Sequence, residues 1–195
     1  MDKSPDLKLQ FFFPTVIGHS HHNELRDKLL PVVQKVLADD SLLTNEWGYK
    51  NTYNGSNGLQ NRPEFAELAS FLKQQSHNYL TALGYESKDE MFPNIFVSEM
   101  QDGDYHDRHC HPGATVSGVF YLDIPPDSAN ILFYDPRNFR DARSTVTNKQ
   151  QNDITSDMAV FAPNNGMLLI WESWMHHQVD INKSKEGRIT IVFNA

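Results

Sequence analysis

Residues 166–194 read GMLLIWESWMHHQVDINKSKEGRITIVFN. Two short apolar runs, GMLLIW (166–171) and RITIVFN (188–194), enclose a polar stretch that carries His176 and His177. Runs of four to eight residues rich in β-branched and aromatic side chains are strands rather than helices, which need ten or more. The turn residues Asn164-Asn165-Gly166 precede the first run.

The same rhythm extends towards the N-terminus through NIFVSEM (94–100), TVSGVFYLDI (115–124), ILFY (131–134) and MAVF (158–161). Asp102-Gly103-Asp104 and Pro125-Pro126 punctuate it. Many short strands separated by turns predict a sandwich or barrel. The polar stretch 135–157 lacks periodicity and reads as a long loop of the kind that often forms a lid.

Before Gly84 the pattern is different. Leu25, Leu29, Val33, Val36 and Leu37 recur at helical spacing, predicting a helix over Asn23–Ala38 that Pro31 should kink or reopen as a second turn. A second helix should begin near Pro63, bury Phe65, Leu68, Leu72, Tyr79 and Leu83, and be capped by Gly84. Residues 44–62, rich in Asn, Gly and Thr, read mostly as loop. LKLQFFF (7–13) reads as a strand stopped by Pro14. The fold class is mainly β with N-terminal helices. The reading is one domain over 1–195, with a helical flank at about 20–84 and a β core at about 92–195.

Lys and Arg total 17 against 25 Asp and Glu, a net charge of −8, and no basic run interleaves with aromatics. Nucleic acid is therefore not expected as a partner. No apolar stretch approaches the roughly 18 residues that span a membrane, so none is expected to be crossed. MDKSPDLK has no signal-peptide core, and the single cysteine, Cys110, forms no internal disulfide. A cytoplasmic protein is the expectation, and a homodimer is compatible with it.

The histidines are unevenly placed. In Tyr105-His106-Asp107-Arg108-His109-Cys110-His111-Pro112-Gly113, an extended backbone would point His109 and His111 to one face and Cys110 to the other. Pro112 favours an extended His111. Two imidazoles so placed can share a metal at about 2.0–2.1 Å. A third ligand would come from Ser173-Trp174-Met175-His176-His177-Gln178-Val179. Alternation there turns either Met175, His177 and Val179 inward or Trp174, His176 and Gln178. The first set is the more apolar and selects His177. His19-Ser20-His21-His22 reads as solvated surface, Trp171 and Trp174 as core or rim packing, and Arg137, Arg140 and Arg143 as a solvated basic loop.

These motifs resemble the iron(II)/2-oxoglutarate-dependent oxygenases, in a little-characterised family found in bacteria and phages. The matching segments are His109-Cys110-His111-Pro112, Ser117-Gly118-Val119-Phe120-Tyr121-Leu122, Phe133-Tyr134-Asp135-Pro136-Arg137 and Gly166-Met167-Leu168. Ser173 to Val179 and Arg188-Ile189-Thr190-Ile191-Val192-Phe193-Asn194 complete the series, and LQFFFPTVIG looks like the family's opening strand.

The resemblance implies a double-stranded β-helix, or jelly-roll, with helices packed outside. It implies Fe(II) held by His109, His111 and His177 as the catalytic metal site, and 2-oxoglutarate as cosubstrate. Arg188 would take the distal carboxylate, with Tyr121 and Thr190 beside it. The reaction implied is hydroxylation of an unknown small-molecule or protein substrate by dioxygen, releasing succinate and CO2.

His111 stands where the usual triad carries Asp or Glu, so three neutral imidazoles would leave the metal one unit more positive. Asp107, of matching strand parity, is the alternate third ligand. Two other readings stay open: a three-His Fe(II) dioxygenase that needs no 2-oxoglutarate, and a non-catalytic metal-binding jelly-roll module.

Overall fold

The computed structural model describes residues 10, 12–53, 58–86, 91–137 and 156–195. Among these residues ten strands form two antiparallel sheets. In chain order they are β1 (Ile17–His21), β2 (Lys50–Asn51), β3 (Asn94–Met100), β4 (His106–His109), β5 (Val116–Asp123), β6 (Ile131–Tyr134), β7 (Met158–Phe161), β8 (Met167–Glu172), β9 (His177–Val179) and β10 (Arg188–Asn194). The larger sheet has the order β1-β8-β5-β10-β3-β2 and the smaller β4-β9-β6-β7.

Chain neighbours are mostly not sheet neighbours. The chain crosses between the sheets, as a jelly-roll requires. The predicted spans of β3, β6, β7 and β10 coincide with the observed strands, and those of β5 and β8 fall within a residue or two.

Two helices cover the outer face of the larger sheet. Helix α1 (Asn23–Leu37) buries Leu29, Val33, Val36 and Leu37, and α2 (Ala66–Ala82) buries Leu68, Ala69, Leu72, Tyr79 and Leu80. They pack on Phe120, Leu122, Ile170, Ile191 and Phe193. The opposite face of the same sheet presents Val119, Tyr121, Leu169 and Trp171 to the smaller sheet. Cover on both faces explains why β5 is buried along its length except at Asp123, and why its sequence is continuously apolar rather than alternating.

Pro31 neither ends α1 nor opens a second turn. Pro63 starts a short 3-10 turn (Pro63–Phe65) that leads into α2. Gly84 closes α2 as predicted: at φ +88° it lets Gly84 N–H reach the Thr81 carbonyl at 3.0 Å and Tyr85 N–H reach that of Leu80 at 2.9 Å.

One strand prediction is corrected. Of 7–13, residues 10, 12 and 13 carry no strand and the others lie outside the described residues; the first strand among the described residues is Ile17–His21. The ladder with β8 opens at Ile17 opposite Trp171, one residue before β8 ends at Glu172, which leaves little partner strand for an earlier start. The 44–62 loop holds the two-residue β2 and a 3-10 turn at Leu59–Asn61. Most of the predicted 135–157 loop, including Arg140 and Arg143, lies outside the described residues.

Candidate metal centre and cosubstrate pocket

Strand register builds the site. His109 on β4 and His177 on β9 are direct cross-strand partners, and His177 also faces Phe133 on β6. Met175 is fully buried and His177 is 3% exposed, while Trp174 is 47% exposed. The inward set chosen from the sequence is therefore the observed one.

His111 is placed differently from the reading that put it on the strand of His109. Strand β4 ends at His109. His111 begins a turn in which Ala114 N–H donates to its carbonyl at 3.3 Å and Gly113 has φ +93°. Proline second and glycine third is the sequence a type II turn demands. The His111 N–H donates to the Ser173 carbonyl at 2.9 Å, which ties this turn to the segment before His177.

The three rings still converge. One ligand atom from each of His109, His111 and His177 lies within 4.8 Å of the other two. His111 Nε2 and His177 Nε2 are 3.3 Å apart. Two nitrogens each about 2.1 Å from one metal stand roughly 3.0–3.4 Å apart for octahedral to tetrahedral angles, so the pair fits a shared ion.

The other ring nitrogens are engaged. His109 Nδ1 lies 2.7 Å from the Asp107 carbonyl and His177 Nδ1 lies 2.9 Å from that of Met175. A carbonyl only accepts, so each Nδ1 carries the proton and each Nε2 keeps its lone pair for a metal. Burial depresses all three pKa values, His177 to about 3 and His111 to about 4, and the neighbouring imidazoles add to the effect for both. The rings are neutral at neutral pH, as ligands must be.

Asp107 does not enter this cluster. Its side chain is exposed and it contributes only its backbone carbonyl. A register shift between His106 and His109 breaks the simple alternation on which its parity rested. The same irregularity brings His106 onto His109, with centroids 4.0 Å apart and planes at 17°. No sequence signal marks a bulge, so His106 could not be read as part of this wall.

A cavity of about 650 Å³ lies between the sheets beside the three histidines. Arg188, Tyr121 and Thr190 all line it. Thr190 and Tyr121 are cross-strand partners, and the β5–β10 register slips between Ile189 and Thr190. Leu122 has no opposite residue there, and its carbonyl accepts from Arg26 Nε at 2.6 Å.

Arg188 is 2% exposed and makes no ion pair among the described residues, neither with Glu172 nor with Glu186. Its guanidinium lies 5.2 Å from the Tyr121 ring centroid. Burial lowers the Arg188 pKa and raises that of Tyr121 to about 12, the nearby guanidinium opposing the latter. Among the described residues, Arg188 Nε and Trp171 Nε1 are buried without a hydrogen-bond partner, and the buried Tyr121 hydroxyl has at most the Arg188 guanidinium beside it, which cannot accept its proton. All three belong to cavity-lining residues. Buried polar groups are almost always satisfied, so three donors left over around one cavity fit a polar, anionic ligand.

The remaining candidates fall outside the site. Cys110, read as pointing away from the histidines, lines the same cavity, and it is not in the metal-ligating group. Arg137 pairs with Asp135 through Nε at 2.8 Å and Nη2 at 2.9 Å. His19 and His21 are exposed on β1, and His22 packs edge-on against Phe71. Trp171 is core, as read, but its N–H makes it a cavity group as well.

Comparison with known families and structures gives the geometry its context. Residues 94–194 match the family described as "Putative 2OG-Fe(II) oxygenase". That span is more than half the chain and contains every residue of the histidine cluster and the arginine pocket. The chain belongs to this family.

As a 2OG-Fe(II) oxygenase it takes iron(II) and 2-oxoglutarate, with dioxygen and a substrate, and His109, His111 and His177 could bind the metal. The fold agrees. A Pseudomonas putida prolyl-4-hydroxylase superposes with a TM-score of 0.60 at 13% identity, covering 92% of this chain and 91% of that one. A Trichoplax adhaerens prolyl hydroxylase, in complex with a hypoxia inducible factor peptide fragment, gives 0.65 at 15%, covering 91% and 82%. The non-heme alpha ketoglutarate dependent epimerase SnoN from nogalamycin biosynthesis gives 0.64 at 12%, covering 92% and 78%. No curated protein matches the sequence. No helix among the described residues is long and apolar enough to cross a membrane.

Proposed function

We propose that the protein hydroxylates a substrate C–H bond, with His109, His111 and His177 as the iron ligands and Arg188, Tyr121 and Thr190 as the 2-oxoglutarate site. The observation that carries this reading is the adjacency, in one cavity, of three metal-ready imidazoles and a buried, unpaired guanidinium.

Iron(II) with 2-oxoglutarate supplies the oxidation: substrate C–H, cosubstrate and dioxygen become substrate C–OH, succinate and CO2. The chain supplies the frame. His109 and His177 are locked by carbonyls with Nε2 presented to the metal. Arg188 offers a rigid fork to a carboxylate, a geometry that an ammonium would not give. Tyr121 keeps its phenolic proton and donates alongside it. Three neutral ligands leave the full metal charge to attract a dianionic cosubstrate. Trp171, Phe133 and Val119 keep the inner cavity dry.

The arginine favours this over a three-His dioxygenase that uses no cosubstrate, because such an enzyme has no need of a buried cation. Aerobic incubation with iron(II) and 2-oxoglutarate, followed by succinate quantification, tests the choice. Succinate should form with wild type and fall at least a hundredfold in Arg188→Met. Oxidation of substrate without succinate would give the site to the other class.

A further inference from the structure

The cavity extends beyond the cosubstrate pocket to a wall of aromatic rings. Trp47, from the 44–62 loop, packs on Tyr53 at 4.6 Å and Phe96 at 5.9 Å, and Tyr53 meets Phe96 at 5.3 Å, all centroid to centroid. Trp47 also stacks on His106 at 5.2 Å and 29°, and His106 on the ligand His109 at 4.0 Å. The wall thus reaches the metal centre through a single ring. Its outer edge is open: Tyr53 is 45% and Phe92 61% exposed, and both line the cavity. Exposed aromatics gathered at the mouth of a cavity mark a binding surface rather than core packing.

Charge is sparse at this end: the Lys73 ammonium lies 5.8 Å from the Phe92 ring centroid at the rim, outside the cavity lining. Among the described residues that line the cavity there is no Asp, Glu or Lys, and Arg188 is the lone cation. Asp104 and Asp107 face a separate groove on the other side of Trp47. The polar group within the wall is His106. Its Nδ1 is 2.8 Å from the hydroxyl of Tyr49, a side chain only 4% exposed. A buried phenol needs an acceptor for its O–H, and Nδ1 is the one within reach among the described residues, so Tyr49 donates to Nδ1 and the His106 proton sits on Nε2. Nε2–H then has a free donation to make.

From this geometry we infer that the Trp47–Tyr53–Phe96 wall with His106 is the subsite for the group to be oxidised, and that it takes an uncharged apolar side chain carrying a neighbouring carbonyl. This rests on the proposed hydroxylase reading and names its substrate class. Apolar atoms lie flat on the rings, the carbonyl accepts from His106, and a carboxylate or ammonium would lose its hydration with no partner to replace it.

The test is a ligand-observed NMR titration of the full chain, loaded with zinc as a diamagnetic stand-in for iron and given excess 2-oxoglutarate. The probes are N-acetyl N′-methylamides of leucine, phenylalanine, lysine and glutamate. Leucine and phenylalanine probes should bind at least tenfold tighter than the other two. Trp47→Ala and Tyr53→Ala should each weaken them at least threefold with the far-UV spectrum unchanged. His106→Phe, which keeps the stack, should also weaken them.

Equal or tighter binding of a charged probe, no binding by any probe, or neutral-probe affinity unchanged in all three variants would overturn the assignment. Titrating 2-oxoglutarate on the same samples separates the two claims. Its failure to bind strikes the cosubstrate reading, whereas probe selectivity reports on the wall alone.

Discussion

The Nε2 atoms of His111 and His177 face one another at 3.3 Å, although 66 residues separate them in the chain. His177 is fixed by a strand register and by the Met175 carbonyl, His111 by a turn held to the Ser173 carbonyl. With both rings neutral and His177 protonated at Nδ1, the apo contact forms when His111 donates from Nε2, and ligation by that nitrogen would require the His111 proton to sit on Nδ1 instead. Loss of an outer partner of a metal ligand commonly costs about 10–100-fold in affinity, so loss of a ligand should cost more. His177→Ala and His111→Ala should each lower iron affinity at least 100-fold, and Asp107→Asn should leave it within threefold, as read by metal analysis after dialysis against a graded chelator.

Arg188 makes a second, opposite-signed prediction. In the apo protein its guanidinium is buried at 2% exposure without a carboxylate, and Nε is unpaired. A buried charge lacking its partner opposes folding, and an unbranched apolar side chain of similar length does not. Arg188→Met should therefore stabilise the apo chain, by about 1–3 kcal/mol in urea unfolding. The same change should remove the stabilisation that excess 2-oxoglutarate gives wild type, which is about 2.7 kcal/mol at 100 times Kd. A variant less stable than wild type without ligand would mean that Arg188 holds the fold.

The histidine cluster sets a pH dependence. Burial holds His106 and His177 at about 3 and His111 at about 4, against 6.5 for a free imidazole. Such groups take up protons mainly on unfolding, so their contribution is full above pH 6.5 and is lost as pH falls towards 3–4. Each adds a slope of about 1.4 kcal/mol per pH unit inside that window. Urea midpoints of the apo chain should fall steeply between pH 6.5 and 4. Saturating metal, which binds the neutral rings, should move the fall to lower pH.

The motif Ser117-Gly118 has a packing reason. Ser117 Oγ lies 2.7 Å from Ser173 Oγ and donates to Asn194 Oδ1 at 2.7 Å, joining three strand-end segments in a buried network beside His111. Ser117→Ala leaves those partners unsatisfied and should cost about 1–3 kcal/mol. A Cβ on Gly118 would stand 2.3 Å from Phe193 Cε1 and 2.6 Å from the Leu169 carbonyl oxygen, the latter a backbone atom that cannot swing aside. Gly118→Ala should cost at least about 2 kcal/mol. Denaturant unfolding checks both, and near-neutral results would show that the network is slack.

Much of this site was legible because the strands that carry it are apolar runs with clean punctuation. β3, β6, β7 and β10 declare themselves by composition, and Arg188 stands at the head of one of them. Alternation around His177 selected the inward ring correctly because β9, though only three residues long, is regular. Alternation paired His109 with His111 correctly by a route the structure does not use, and it misplaced Asp107, for one reason: β4 is irregular and stops at His109. A bulge depends on what the partner strand does, and a partner 68 positions away, as His177 is from His109, leaves no local trace. The aromatic wall was hidden by the opposite effect. The Asn- and Gly-rich composition of 44–62 correctly indicates loop, and that label says nothing about where Trp47, Tyr49 and Tyr53 come to rest.

One measurement reaches the central claim most directly: anaerobic calorimetric titration of 2-oxoglutarate into the iron(II)-loaded chain, in wild type, His177→Ala and Arg188→Met. One equivalent should bind wild type. Binding should be lost in His177→Ala together with the metal, and lost in Arg188→Met while the metal stays. Undiminished binding of 2-oxoglutarate by Arg188→Met, or full retention of iron by His177→Ala, would contradict the account.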